Sequence, residues 1–273
     1  MRAQRLVVAL AVAATLVWVA LALLLKMDIV EGSLAGIRIA GTGVSETVER
    51  PESGELAFGA SSLLESFVLG MEMVAAGAAY WAATLLLLFA SGSLVVSALE
   101  GGTAALLFTT PVSRGRLLAG RVLGVWAVAA ALIVYLLGAV WLVISVKTGV
   151  WNGYFLLAVA ATWAFFAAMF GVVTLVSVAT RSTGIALITA YGLLFISIAL
   201  APHDKLTEMM GHAGRTAYGV AYAVLPHFAE GTSLVAHLAS GQAVEAWFPL
   251  WGTLGSGALC YAGAFWLLRR HDF

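Results

Sequence analysis

The chain has 273 residues, of which 62% are hydrophobic and only 10% are charged, and its mean hydropathy is +1.00. Soluble domains are about a quarter charged and about half apolar, so this composition excludes a soluble globular enzyme, a disordered regulator and a nucleic-acid-binding protein. Basic and acidic residues balance at 14 each, so the net charge identifies no partner. The composition is typical of an integral membrane protein.

Six apolar stretches are long enough to cross a bilayer, which takes about 20 helical residues. They are too long for transmembrane strands, which need about ten residues each, so we predict an all-α integral membrane protein with six transmembrane helices. The first stretch follows Arg2 and Arg5, as in a signal peptide, but it is longer than a typical signal core and we favour a true span. The predicted spans are about 6–25, 67–97, 122–146, 154–178, 184–200 and 247–268.

The segments between the spans differ in charge. With the N-terminus in the cytoplasm, the inside segments 1–5, 99–121, 179–183 and 269–273 carry eight arginines, and the outside segments carry fewer basic residues in more than twice the length. The higher density of basic residues on the inside segments follows the positive-inside rule. Both termini are therefore predicted to be cytoplasmic, in a multi-pass protein of the cell membrane. The inside arginines are Arg2, Arg5, Arg114, Arg116, Arg121, Arg181, Arg269 and Arg270.

Two long outside segments, 26–66 and 201–246, are predicted to cap the outer mouth of the helix bundle. The first carries seven acidic residues, and its stretch 36–43 alternates in polarity between turn residues, which favours a short hairpin. Leu56–Leu64 then reads as a small interfacial helix leading into the second span. The second segment has weak helical periodicity, with Pro226 near its middle.

The chain lacks the sequence of a nucleotide site. A P-loop needs a Gly-Lys pair, whose backbone amides and ammonium hold phosphates, and none of Lys26, Lys147 and Lys205 follows a glycine. An ATP-driven role would therefore need a separate ATPase. No catalytic residue, cofactor or metal is predicted.

Glu72 is the one acidic residue within a predicted span, and an intramembrane carboxylate is a functional candidate by default. It lies within a turn or two of the outer surface, so it can reach the interface or pair with a neighbouring loop. We favour that structural role. Small residues in the sixth span permit close helix packing, within one subunit or between two; they are Gly252, Gly255, Gly257 and Ala262.

Four histidines of the second outside segment could in principle bind a metal, since imidazole is a common ligand. Metal sites show tight spacings, such as two ligands one helical turn apart, whereas these histidines are at least nine residues apart. Solvated or interfacial side chains are the simpler interpretation. The four are His203, His212, His227 and His237.

The inside loop 99–121 is the most informative segment. Its apolar cluster 106–108 is too short for a span, Pro111 ends any helix begun at Thr103, and Ser113 can cap a helix leading into the third span. Such a helix suits docking into a groove of a soluble partner. From the residues alone, a loop that anchors its arginines to lipid phosphates is as well supported as a docking helix.

The same loop resembles that of the ABC-2 type permeases, the membrane subunits of a class of ATP-binding-cassette transporters. In that family an acidic residue and a Gly-Thr pair precede a leucine-rich helix, and a Pro-Val-Ser-Arg turn and a Leu-Leu-x-Gly-Lys/Arg stretch follow. The chain is most similar to the subgroup that includes the permease for nitrous-oxide-reductase maturation. Family members usually begin with a longer amphipathic elbow helix, whereas only five residues precede the first predicted span here, so the elbow is either absent or truncated. The matching residues are Glu100, Gly102, Thr103, Leu106, Leu107, Pro111, Val112, Ser113, Arg114, Leu117, Leu118, Gly120 and Arg121.

The resemblance implies a permease, expected to be an exporter, that pairs with a second permease subunit as a homodimer and docks two copies of a separate ABC ATPase. The helix from about Gly101 to Thr110 would be the coupling element, with its apolar cluster buried in the ATPase and Glu100 and Arg114 in polar contact around it. The implied coupling residues are Glu100, Gly102, Thr103, Leu106, Leu107, Phe108, Pro111, Arg114, Arg116 and Arg121.

Two other functions remain open from the sequence. One is a membrane anchor that transports nothing and recruits an extracytoplasmic accessory protein through its outer caps. The other is a membrane enzyme that binds a metal through the outer histidines. An ATPase that co-purifies with the chain would distinguish the transporter from both.

Overall fold

The computed structural model describes residues 2–30, 33–39, 42–44, 56–99, 114–202, 211–244 and 246–270. Within them the chain forms eight helices and a small three-stranded sheet. In chain order these are α1 (Arg2–Leu24), β1 (Leu25–Val30), β2 (Ser33–Ile39), β3 (Thr42–Val44), α2 (Leu56–Leu99), α3 (Arg114–Thr148), α4 (Phe155–Thr180), α5 (Thr183–Leu200), α6 (His212–Val224), α7 (Phe228–Ser240) and α8 (Phe248–Arg270).

Among the described residues, four helices contain segments long and apolar enough to cross a membrane. These segments coincide with the second to fifth predicted spans, and α1 contributes a shorter apolar segment, Val8–Ala20. Helix α8 covers the sixth predicted span. The count of six spans and the side on which the termini lie stay predictions. The four segments are Glu65–Val96, Gly115–Thr148, Phe155–Thr180 and Thr183–Leu200.

Helices α2 and α3 are longer than the apolar runs that predicted them. Helix α2 has 44 residues, which is about 66 Å of helix against a hydrocarbon core of about 30 Å. The predicted interfacial helix 56–64 is the first part of α2, because no proline lies between Leu56 and Leu99 to end the helix at the membrane surface. Helix α3 likewise begins at Arg114, ahead of the predicted span.

Helix α4 lies at the centre of the molecule. It is apolar around its whole circumference, and such a helix is expected to be buried on every side. Phe165, Phe166 and Phe170 have no exposed surface. Helix α8 packs most extensively against α4, and α2, α3, α5 and α7 also contact it. The α4–α8 packing is close because Gly171 and Gly257 face each other across the interface.

A tight turn joins α4 to α5. Arg181 has the left-handed φ of 53°, and its N–H donates to the Ser177 carbonyl at 2.9 Å, which ends α4. The Ser182 side chain then accepts a hydrogen bond from the Ile185 N–H and caps α5. The turn spans the short predicted inside segment 179–183.

The first outside segment contains the small sheet, with antiparallel order β1-β2-β3. Strands β2 and β3 pair through Ile37 with Val44 and Ile39 with Thr42, at the position of the predicted hairpin. Strand β1 adds a third strand on the other edge of β2 and follows α1 directly. The sheet therefore adds a β element to the predicted all-helical fold.

Helix α7 is part of the bundle core, although its segment is predicted as an outer cap. It packs between α2, α4, α5 and α8, and Phe228, Val235 and Ala239 are fully buried. The Tyr80 hydroxyl of α2 donates to the Phe228 carbonyl at 2.8 Å. With 13 residues, α7 extends only about 20 Å, so it enters the bundle without crossing a bilayer.

Candidate functional site

The coupling segment predicted between α2 and α3 lies largely outside the described residues. The structure describes its two flanks, where α2 ends at Leu99 and α3 begins at Arg114. The predicted coupling residues outside the described part are Glu100, Gly102, Thr103, Leu106, Leu107, Phe108 and Pro111.

The three remaining arginines of the coupling set lie on the first turns of α3, with Arg114 as its first residue. Arg116 is exposed and Arg121 is half-buried. Arg121 donates from Nη1 to the Leu94 carbonyl of α2 at 3.0 Å, and Leu118 and Val122 beside it are buried. The end of α2 and the start of α3 are therefore packed against each other, on both sides of the predicted coupling segment.

Glu72 lies in the first half of α2, where it is fully buried. Its Oε2 accepts a hydrogen bond of 2.6 Å from Nδ2 of Asn152, in the loop between α3 and α4. The same Nδ2 donates to the Ala239 carbonyl near the end of α7 at 2.7 Å, and Oδ1 of Asn152 accepts from the Tyr154 N–H at 3.0 Å. We call this set, Glu72, Asn152, Tyr154 and Ala239, the outer junction.

The outer junction is a structural contact in which a buried carboxylate meets a loop. Oε1 of Glu72 has no hydrogen-bond partner in the part of the chain that the structure describes. A buried carboxylate is costly unless hydrogen bonds compensate, so the short bond from Asn152 matters to the position of α2. Pairing with a neighbouring loop was one of the two expectations for Glu72; because the side chain is buried, it does not reach the membrane surface.

Sequence analysis did not identify Asn152 as a site residue. It is the only asparagine in the chain, and it lies between Trp151 and Gly153 in a short loop. Trp141 donates its indole N–H to the Asn152 carbonyl at 2.8 Å, which fixes the backbone as well. The signal available in the sequence was a single strongly polar amide between two apolar helices. Such a group, when buried, needs hydrogen-bond partners.

The outer histidines do not converge in the described residues. His227 is buried, with its ring centroid 4.3 Å from that of Tyr222 and 5.0 Å from that of Phe248, and its backbone N–H donates to Thr253 Oγ1 at 3.0 Å. His237 is half-buried in the last turn of α7. His203 and the His212 side chain lie outside the described part. In that part, no group of three His, Cys, Asp or Glu side chains could hold a metal ion.

Comparison with known proteins gives one match. The family model described as ABC-2 family transporter protein matches residues 2–273. No curated protein and no solved structure matches the chain. The matched region includes the four segments that are long and apolar enough to cross a membrane and the predicted coupling loop. The chain therefore belongs to the ABC-2 family of transporter proteins, as a multi-pass membrane subunit of an ABC transporter.

Proposed function

We propose that the chain is the permease subunit of an ABC exporter, and that it couples ATP hydrolysis by a separate ATPase to the movement of a substrate across the membrane. The family match over residues 2–273 carries this proposal. The absence of a Gly-Lys pair from the sequence supports it, because the chain then needs a partner to use ATP. Membership of the narrower subgroup named above stays a prediction.

The proposed topology has six spans with both termini in the cytoplasm, so that the loop between α2 and α3 faces the ATPase. A second copy of the chain would complete the permease, and each copy would contact one ATPase. The arginines on the inside segments support this orientation through the positive-inside rule. A substrate class is not part of the proposal.

Helix α2 is the proposed connection between the ATPase and the outer face. Arg121 ties α3 to α2 at Leu94, and Glu72 binds α2 to the outer junction. These two positions are about 33 Å apart along the helix, which is close to the thickness of the hydrocarbon core. A displacement of the coupling segment would therefore move α2 and α3 as a unit and change the packing of α7 at the outer end.

The test is co-purification of ATPase activity with the tagged chain from native membranes. We expect Leu107→Asp and Arg114→Glu each to abolish it, since they place a charge in the proposed buried cluster and reverse a proposed polar contact. Arg114 is the first residue of α3, and an acidic residue at a helix N-terminus is stabilising by about 0.3–1 kcal/mol. Loss of the ATPase in Arg114→Glu would therefore not come from unfolding of α3.

Arg269→Glu is the matched control. Arg269 is exposed in the last turn of α8, on the same predicted face of the membrane but outside the coupling segment, and should retain the ATPase. If ATPase activity co-purifies undiminished with both coupling variants, the coupling assignment is wrong. If no ATPase co-purifies with the unaltered chain, the membrane-anchor function replaces the transporter.

A further inference from the structure

A groove of about 1050 Å³ opens between α1, α2 and α3. Apolar side chains of these three helices form its walls, and Phe166 of α4 contributes to its lining. Its volume is at the upper end of the range for small-molecule pockets, about 300–1,000 Å³. The groove therefore has room for a ligand larger than a typical metabolite.

The groove lies along the first part of α1. The described hydrogen bonds between α1 and α3 lie further along α1: the Thr15 hydroxyl is 2.8 Å from the Tyr135 hydroxyl, Trp18 donates to the same oxygen at 3.3 Å, and Lys147 Nζ donates to the Ala22 carbonyl. The residues of α1 that line the groove, Val8 and Leu10, precede all of these.

Two glycines of α3 widen the groove. Gly120 and Gly124 both line it, and a Cβ added to either would meet no atom within 4 Å. The missing side chains leave open space along α3. A bulky substitution there would fill the groove without pushing against the backbone of another helix.

The dimensions of the groove match one leaflet of a bilayer. Along α3 the lining begins at Arg116, and its part beyond Arg121 is apolar and runs to Leu132, which is about 16 Å of helix. Half of a hydrocarbon core of about 30 Å is about 15 Å. An acyl chain that starts at the level of Arg121 would therefore end near the bottom of the groove.

Positive charge marks one end of the groove. Arg116 and Arg121 line it there, and no acidic residue is among its described lining residues. Guanidinium groups have five N–H donors and bind phosphate oxygens well, so the bond from Arg121 to the Leu94 carbonyl is compatible with a phosphate contact. Basic pockets between transmembrane helices on the cytoplasmic side are typical of sites for anionic lipid headgroups.

We propose that the groove binds one anionic phospholipid of the inner leaflet. Its acyl chains lie between α1, α2 and α3, and its phosphate lies beside Arg116 and Arg121. The proposal relies on the orientation argued above and not on transport. Charge and depth together favour this occupant over a second copy of the chain, which would have to bring a negative group to the arginines.

Native mass spectrometry of the detergent-purified protein tests the proposal, with phosphatidylglycerol and phosphatidylcholine of the same acyl chains as probes. We expect phosphatidylglycerol to bind at least about tenfold more tightly, since each basic residue near the surface strengthens the attraction to anionic lipid. Gly124→Leu should abolish this binding. Gly138→Leu is its control, because Gly138 is on the same helix, has the same open space around it and does not line the groove.

Charge is tested separately. The double variant Arg116→Gln/Arg121→Gln should bind the two lipids equally, whereas Arg269→Gln/Arg270→Gln should keep the preference. Equal binding of the two lipids by the unaltered protein, or equal behaviour of the Gly124 and Gly138 variants, would overturn the site. A Gly124→Leu protein that loses dimers and keeps its lipid would instead make the groove an interface between copies.

The lipid site and the proposed function can fail independently. Gly124 is not among the coupling residues, so the Gly124→Leu protein should still co-purify with ATPase activity. Loss of the ATPase from this variant would count against the coupling assignment, whereas lipid retained by it would count against the lipid site. Loss of lipid selectivity with the ATPase retained is the result expected if the groove is a lipid site that coupling does not need.

Discussion

Asn152 holds three parts of the molecule together with one side chain. Its amide bonds Glu72, the Ala239 carbonyl and the Tyr154 N–H. Asn152→Ala removes all three bonds and leaves the buried carboxylate without its donor. We expect a loss of about 3 kcal/mol, since an orphaned buried polar group costs about 1–3 kcal/mol and a charged one more. The measurement is the thermal unfolding midpoint of the protein in detergent.

The double variant Glu72→Leu/Asn152→Ala separates the lost bond from a general effect of truncation. Removing both polar partners is less costly than removing one, so the double variant should be more stable than Asn152→Ala alone. Residues in direct contact show such non-additivity. Equal stability of the two variants would mean that Glu72 does not depend on Asn152.

Residue types and positions alone could predict part of the outer junction. The place of Glu72 near the outer end of an apolar helix follows from the sequence, as does its need for a partner in a loop. The identity of that partner does not, because Glu72 and Asn152 are 80 residues apart. Hydrophobic periodicity reports the buried face of each helix and says nothing about which loop comes to lie over which helix end.

At the scale of elements, the closest packing is that of α8 on α4. A Cβ at Gly257 would lie 2.6 Å from Ala168 Cα and 2.8 Å from its carbonyl oxygen, so the backbone of α4 would have to move. Overpacking of this kind costs about 1–3 kcal/mol. Gly257→Ala should therefore lower the thermal unfolding midpoint of the protein in detergent.

Gly255→Ala is the matched control, two residues away on the same helix. Gly255 is exposed, and no atom lies within 4 Å of an added Cβ. Because Ala is favoured over Gly in a helix by about 1 kcal/mol, this variant should be as stable as the unaltered protein or slightly more stable. A similar drop of the thermal unfolding midpoint in both variants would mean that α8 tolerates no change along its length. Close packing at Gly257 would then not be the cause of the drop.

The elements themselves were predicted unevenly from the sequence. Small residues in the sixth predicted span indicated close packing, and the structure places Gly257 in contact with α4 of the same chain. The burial of α7 was not predicted. Its 13 residues are too few for a span of about 20, and an amphipathic helix of this length reads as a surface element. Only its neighbours in the bundle, α2, α4 and α5, make its apolar face part of the core.

For the whole molecule, the long helices join the two faces of the bundle. Helix α2 contacts α3 through Leu94 and Arg121, and its Glu72, in the first half of the helix, belongs to the outer junction. Helix α4, buried over most of its length, gives α2, α7 and α8 a common surface to pack on. A movement at the proposed coupling segment would therefore reach the outer junction through packed helices.

The last prediction tests the six-span topology. In a Cys260→Ala background, single cysteines replace Gly153, Gln242, Thr180 and Arg269, which are all exposed. If α4 and α8 both cross the membrane, Gly153→Cys and Gln242→Cys should react with an impermeant maleimide in intact cells, and Thr180→Cys and Arg269→Cys only after permeabilisation. Gly153 and Thr180 flank α4, and Gln242 and Arg269 flank α8, so each helix is tested separately. Labelling of Arg269→Cys in intact cells would mean that α8 does not cross the membrane. Labelling of Thr180→Cys in intact cells would contradict the proposed orientation of α4.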